Sequence, residues 1–254
     1  MPTKMKEIRL AVIGCIHVPF TDLEALDWAV EEIRREKPTH LIVNGDLLDC
    51  SGISKHGTEA KHSLEDEIWE GGEVLKRLRQ NVPRSCQLIF REGNHEQRIK
   101  REAGFVSTYF RSMLTDWKSK HAEWGRWQPG EYEKTRKGVT LIGPFAVHHG
   151  HRSGGNSDDL EAVEMAGILG RRGIVCVRSH THRVIECDRA MRSSTVPEDR
   201  LWRANTGTFA DISQMPYAKQ VGSVAWGAGV FFGNVSGGYW TARVARPPQR
   251  VRVA

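Results

Sequence analysis

Five short apolar runs in this chain each stop at a cluster of side chains that bind metals or move protons. Ile8–Gly14 runs into Cys15-Ile16-His17, and His40–Asn44 into Gly45-Asp46-Leu47-Leu48-Asp49. Cys86–Glu92 leads to Gly93-Asn94-His95-Glu96, Pro144–His148 to His149-Gly150-His151, and Ile174–Arg178 to Ser179-His180-Thr181-His182. Short runs rich in Val and Ile, bounded by Gly and polar residues, read as buried strands, and ligands in open α/β sheets gather at the carboxyl ends of strands. The chain must therefore fold so that five strand ends meet in one polar pocket.

Between these runs lie helix-like stretches. Asp22–Lys37 opens on Thr21 or Asp22 as a cap, Ser63–Gln80 carries apolar residues at helical intervals, and Asp158–Arg171 follows a Gly-rich turn and closes at Gly173. Strand, helix, strand in the first half argues for α/β layering. After His182 the pattern changes to strand-like segments, Val184–Ala190, Leu201–Asn205, Ser223–Val235 and Tyr239–Val244, which are expected to complete a second sheet. The architecture expected is α/β, with two mixed β-sheets flanked by helices in a single domain over 1–254. Gly104–Gly138 interrupts the alternation with Tyr109, Phe110, Trp117, Trp124, Trp127 and Tyr132 among Arg and Lys residues, and reads as an aromatic and basic insertion. Arg243 to Arg252, around Pro247-Pro248, reads as a peripheral tail.

No run approaches the roughly 18 consecutive apolar residues of a membrane helix, and Met1 to Glu7 lacks the apolar segment of a signal peptide. Five cysteines without a small-scaffold spacing fit a reducing cytoplasm better than a disulfide framework. The formal charge of +6 favours an anionic partner, with phosphate-bearing substrates and nucleic acid the candidates.

Alternate residues of an extended chain share a side, so Cys15 and His17 can face one pocket, as can His180 and His182. Imidazoles, a carboxylate, an amide oxygen and a thiolate together suit Mn, Fe or Zn better than Mg or Ca, which prefer oxygen shells.

In this order the endings resemble the calcineurin-like metallophosphoesterases, whose signature is Asp-x-His, Gly-Asp-x-x-Asp, Gly-Asn-His-Asp/Glu, His-Gly and Gly-His-x-His. The likeness runs from Cys15 to His182. It implies a four-layer αββα sandwich with two divalent transition-metal ions at the strand ends. Carried over by position, the first metal takes Cys15, His17, Asp46 and His182, and the second takes Asp46, Asn94, His149 and His180, with Asp46 as the bridge. His95 would stabilise the charge at phosphorus and protonate the leaving oxygen, and Asp49 would orient His95. Two residues depart from the signature. Cys15 stands where the family has Asp, which should favour Zn or Fe over Mn or Mg, and Ser179 replaces a Gly.

Arg98, one helical turn after His95, and His151 are the candidates for substrate contact. His148 is expected to point into the fold, and His40, His56, His62 and His121 are read as ordinary surface or core residues. The tryptophans of the insertion have two readings, as base-stacking rings beside Arg98, Lys100 and Arg101 or as packing of the insertion onto the domain. The resulting expectation is a hydrolase of phosphodiesters, with a nuclease as its leading form. A phosphomonoesterase or protein phosphatase is the alternative, weakened because Cys50-Ser51 follows Asp49 where the phosphatase branch has an Arg that grips phosphate. A non-catalytic scaffold ranks below both, since Asn94-His95 is intact.

Overall fold

Alternating side chains set the layers. In β1 (Ile8–Ile13), Leu10 and Val12 enter one apolar core while Ala11 and Ile13 enter another. β2 (His40–Asn44) repeats this, with Ile42 on the first side and Leu41 and Val43 on the second. A strand buried on both faces needs cover on both, and the cover differs. Ala11, Ile13, Leu41 and Val43 pack under α1 (Leu23–Glu36) and α2 (Leu64–Gln80), whose Leu26, Ala29, Ile33, Ile68, Leu75 and Leu78 are buried against them. Burying a Leu or Ile side chain contributes about 1.5–3 kcal/mol, so this face alone holds the helices firmly.

The structure, a computed structural model, describes residues 7–54, 62–106, 114, 116–171, 173–189, 201–215 and 226–248. Its first sheet has the order β11-β10-β1-β2-β3-β4, with β3 spanning Gln87–Arg91, β4 Gln128–Gly130, β10 Val230–Ser236 and β11 Tyr239–Ala245. β1 to β4 pair in parallel, and β10 and β11 join antiparallel. The second sheet has the order β5-β6-β7-β9-β8, with β5 Thr140–Ile142, β6 Phe145–Val147, β7 Val175–Arg178, β8 Val184–Arg189 and β9 Trp202–Thr206. Leu10, Val12, Ile42, Phe145, Val147 and Val177 meet between the sheets. On the far side, Ala162 and Met165 of α4 (Ser157–Leu169) pack on Ala146 and Cys176. The molecule is thus helix, sheet, sheet, helix, the four-layer α/β sandwich expected.

Two expectations need correction, and of the two readings of the insertion's tryptophans the packing one holds. β10 and β11 return to the first sheet instead of completing the second, because Val230 and Phe232 fill the helix-side core while Phe231 fills the core between the sheets. Gly233 permits that placement, since a Cβ there would stand 2.6 Å from the Phe145 ring. α4 stops at Leu169, where Gly170 takes the left-handed conformation at φ 58° and its N–H returns to Ala166 and Gly167 carbonyls. The insertion does not present its tryptophans as a stacking surface. Trp117, Trp124 and Trp127 are buried in the core with α2, Trp124 donating to the Ile68 carbonyl at 3.2 Å, and the segment adds β4 to the first sheet. His56, Tyr109 and Phe110, the Ser223 end of one expected strand, Ala190 and the tail beyond 248 lie outside the described residues.

Candidate metal centre

The five endings converge, and the backbone bends sharply where they do. Apart from Lys37 and Cys50, every described non-glycine residue with positive φ belongs to the cluster: Cys15, His17, Asp46, His180 and His182. Such residues are disfavoured in the left-handed region, and they persist where the surrounding structure holds them. The hold is visible: the Cys15 and His17 amides donate to the Gly45 and Asp46 carbonyls at 2.9 and 3.0 Å. Gly45, at φ 78°, and Gly93 give the room, since a Cβ on Gly45 would meet His149 Nδ1 and one on Gly93 would meet Asp46.

Two groups of potential ligands result, each with its atoms within 4.8 Å of one another: Cys15, His17, Asp46 and His182, and Asp46, His149 and His180. Asp46 is common to both. Asn94 joins the second group through its amide oxygen, 3.1 Å from His149 Nε2 and 2.9 Å from His180 Nδ1.

The donor set fits a cation in each group. His17 Nδ1 lies 3.0 Å from Asp49 Oδ1, a carboxylate that its two histidine partners keep ionised against the effect of burial, so the ring proton sits on Nδ1. His17 Nε2 therefore offers a lone pair, and it faces His182 Nε2 at 3.1 Å. His182 Nδ1 is buried without a hydrogen-bond partner. In the second group His149 Nδ1 donates to the Asn44 carbonyl at 2.8 Å, which turns Nε2 toward Asp46 Oδ2 at 3.0 Å. Nitrogen and oxygen lone pairs converge in both places, an arrangement that a proton or a cation must neutralise.

Titration follows from the same geometry. Burial lowers the pKa of His17 and His182, and burial with the nearby His149 charge lowers His180 to about 3, so these rings are neutral and ready to ligate. Burial opposes charge on His149 too, but Asp46 outweighs it and raises that pKa. Burial, then the Asp46 charge, holds the Cys15 thiol well above its usual range, and the His180 amide donates to its Sγ at 3.2 Å. A bound cation would reverse the thiol's balance by favouring the thiolate.

His95 stands beside the groups. Its Nδ1 lies 2.6 Å from the Asp49 carbonyl and its amide donates to Asp46 Oδ1 at 2.9 Å. Arg98, in α3 (Glu96–Ala103), places Nη1 2.9 Å from the same Asp49 carbonyl and Nη2 3.0 Å from His95 Nε2. The third histidine and carboxylate group, His17, Asp49 and His95, is joined by these hydrogen bonds. His151 is placed differently. Its ring lies between Glu161 and Glu164 of α4, with Nε2 3.2 Å from Glu164, and its amide donates to Glu161. Gly150, at φ 103°, precedes this contact, which packs His151 against α4. His148 points into the fold, against Cys176.

Sequence reasoning missed the brace. Glu96 is buried and accepts from the amides of Gly93, Asp46 and Leu48 at 2.7, 3.0 and 3.0 Å, tying the ends of β2 and β3 together. Its position in the Gly-Asn-His-Glu ending was the available signal. Tyr132 beside His149 and Trp226 beside His182 were not foreseen as neighbours of the site.

A family model described as calcineurin-like phosphoesterase matches residues 8–184. Comparison with curated proteins finds no match. Among solved structures, the crystal structure of TT1561 of Thermus thermophilus is similar at 8% identity and a TM-score of 0.37, covering 93% of this chain and 98% of that one. That likeness is too slight to carry an argument.

Proposed function

Since the chain belongs to the calcineurin-like phosphoesterase family, which implies metal-dependent hydrolysis of phosphate esters, we propose that it cleaves phosphodiesters, with nucleic acid the leading substrate. The observation that carries the reading is the convergence of His17, His182, His149, Asn94 and Cys15 around the shared Asp46. Mn, Fe or Zn ions in the two groups would supply positive charge to the phosphoryl oxygens and a water made acidic enough to attack at neutral pH.

The chain's own residues do the rest. Asp46 and Asp49 outweigh burial and raise the pKa of His95, so its ring can carry a proton and deliver it to the leaving oxygen. Asp49 holds that ring through its carbonyl. Arg98 donates to His95 Nε2 while the ring is neutral, and a phosphate oxygen gives it a new partner when the ring is protonated. One guanidinium at this position suits the single charge of a diester better than the double charge of a monoester. The free thiols Cys15, Cys50, Cys86, Cys176 and Cys187 fit a cytoplasmic enzyme, and none of the described helices is long and apolar enough to cross a membrane.

The test is the ratio of initial rates on bis(p-nitrophenyl) phosphate and p-nitrophenyl phosphate, using metal-stripped protein reloaded with Mn. A ratio well above one is expected. A ratio well below one would replace the diesterase with a monoester phosphatase.

A further inference from the structure

Two partly exposed aromatic rings stand at the cluster, one beside each ligand group. The Trp226 ring lies 4.4 Å from that of His182 with the planes at 84°. Tyr132 lies 5.8 Å from the His149 ring at 68°. Both side chains keep part of their surface in solvent, unlike the buried Trp117, Trp124 and Trp127. His182 belongs to the group with Cys15 and His149 to the group with Asn94, so the rings flank the metal groups separately.

The Trp226 backbone bridges to Arg183, the next residue's amide donates to the His182 carbonyl at 3.1 Å, and the ring packs against the buried pair Ala210 and Met215. A partly exposed aromatic ring is what a flat heterocycle stacks on.

We propose that Trp226 and Tyr132 are stacking subsites for the two organic groups of the diester, the nucleobases on either side of the scissile phosphate. The proposal rests on the phosphodiesterase reading, for a monoester has one organic group and no use for two rings. It differs from a purely structural role, in which each ring only steadies its histidine and its loss affects metal and every substrate alike.

The experiment measures kcat/KM of the Mn-loaded full chain and of Trp226→Ala and Tyr132→Ala on the dinucleotide thymidylyl-thymidine and on methyl p-nitrophenyl phosphate, with bound Mn quantified. Each alanine variant is expected to lose about tenfold on the dinucleotide, through KM, while the methyl ester rate and bound Mn hold steady. Trp226→Phe and Tyr132→Phe, which keep an aromatic face, should retain most of the dinucleotide activity. Equal losses on both substrates together with lost Mn, or an unchanged dinucleotide KM, overturn the subsites. Cleavage of the methyl ester but not the dinucleotide by the unmodified protein overturns them and leaves the diesterase intact, whereas cleavage of neither overturns both.

Discussion

Cys15 shows how much a single side chain is asked to do at the end of β1. Its thiol is fully buried, has Asp46 and His17 as neighbours, and is disfavoured as a thiolate until positive charge arrives. Sulfur ligands favour Zn and Fe over Mn. Cys15→Asp is therefore expected to move metal preference toward Mn, read from activity and bound metal across a Mn, Zn and Fe reloading series, and an unchanged series would remove Cys15 from the ligands. Under the proposed mechanism His95 handles a proton and its neighbours hold the ion, so His95→Ala should lower kcat by about 10²–10⁴ while leaving bound metal intact. Glu96 could be seen in the sequence, but its task could not, since its acceptors serve amides of Asp46 and Leu48 far upstream. Glu96→Ala strands three buried N–H groups at about 1–3 kcal/mol each, so urea unfolding should show a loss of several kcal/mol.

Elements whose ends are decided locally were legible. Asp22 caps α1 by accepting from the Ala25 amide, as a polar cap before apolar periodicity suggests, and Ser63, where the second expected stretch begins, accepts from the Asp66 amide. Elements defined by partners were not. β4 is three residues long, contains Pro129 and has no period of its own; it is a strand because Ile89, Phe90 and Arg91 pair with it. The tryptophans beside it likewise needed the α2 surface to declare themselves as core. Trp124→Ala should cost about 3–5 kcal/mol in chemical unfolding, as expected for a large buried aromatic. If Trp124→Ala instead weakened only nucleic-acid binding, the insertion would be a binding surface after all. At the β2 end, Gly45→Ala combines positive φ with a clash on His149, and should reduce both stability and metal binding in parallel, measured by unfolding and metal titration.

At the scale of the molecule, the site couples folding to pH and to metal. His17, His180 and His182 are held below the ordinary histidine pKa of about 6.5 in the folded state, so the unfolded chain takes up protons first as pH falls. Chelator-treated protein should therefore lose stability as pH drops below about 6.5, less steeply than three histidines alone would give, because His95 and His149 are shifted upward and act the other way. Glu67 also opposes the trend. Burial raises its pKa to about 7, so its contribution is present at low pH and disappears as pH rises from the usual carboxylate range of about 4.3 to about 7. Glu67→Gln should steepen the acid loss, a comparison of urea midpoints between about pH 5 and 8 being sufficient to show it. Under the proposed metal reading, adding Mn should raise the midpoint at every pH where the imidazoles are neutral, since an ion that binds only the folded state stabilises it by mass action.

The sequence by itself determined the five strands that lead to the site and what stands at their ends, because a buried strand needs a run of apolar side chains and a ligand needs a particular atom, and both are properties of residues in order. It also carried the cap of α1, where the Asp22 side chain serves a backbone amide three residues on. Only the tertiary structure decided which sheet received β10 and β11, that the insertion's tryptophans belong to the core, that His151 serves α4, and that Glu96 joins two strand ends. Those outcomes depend on contacts between residues far apart in the chain, where burial on both faces and the satisfaction of buried polar groups choose among folds that the local pattern allows equally.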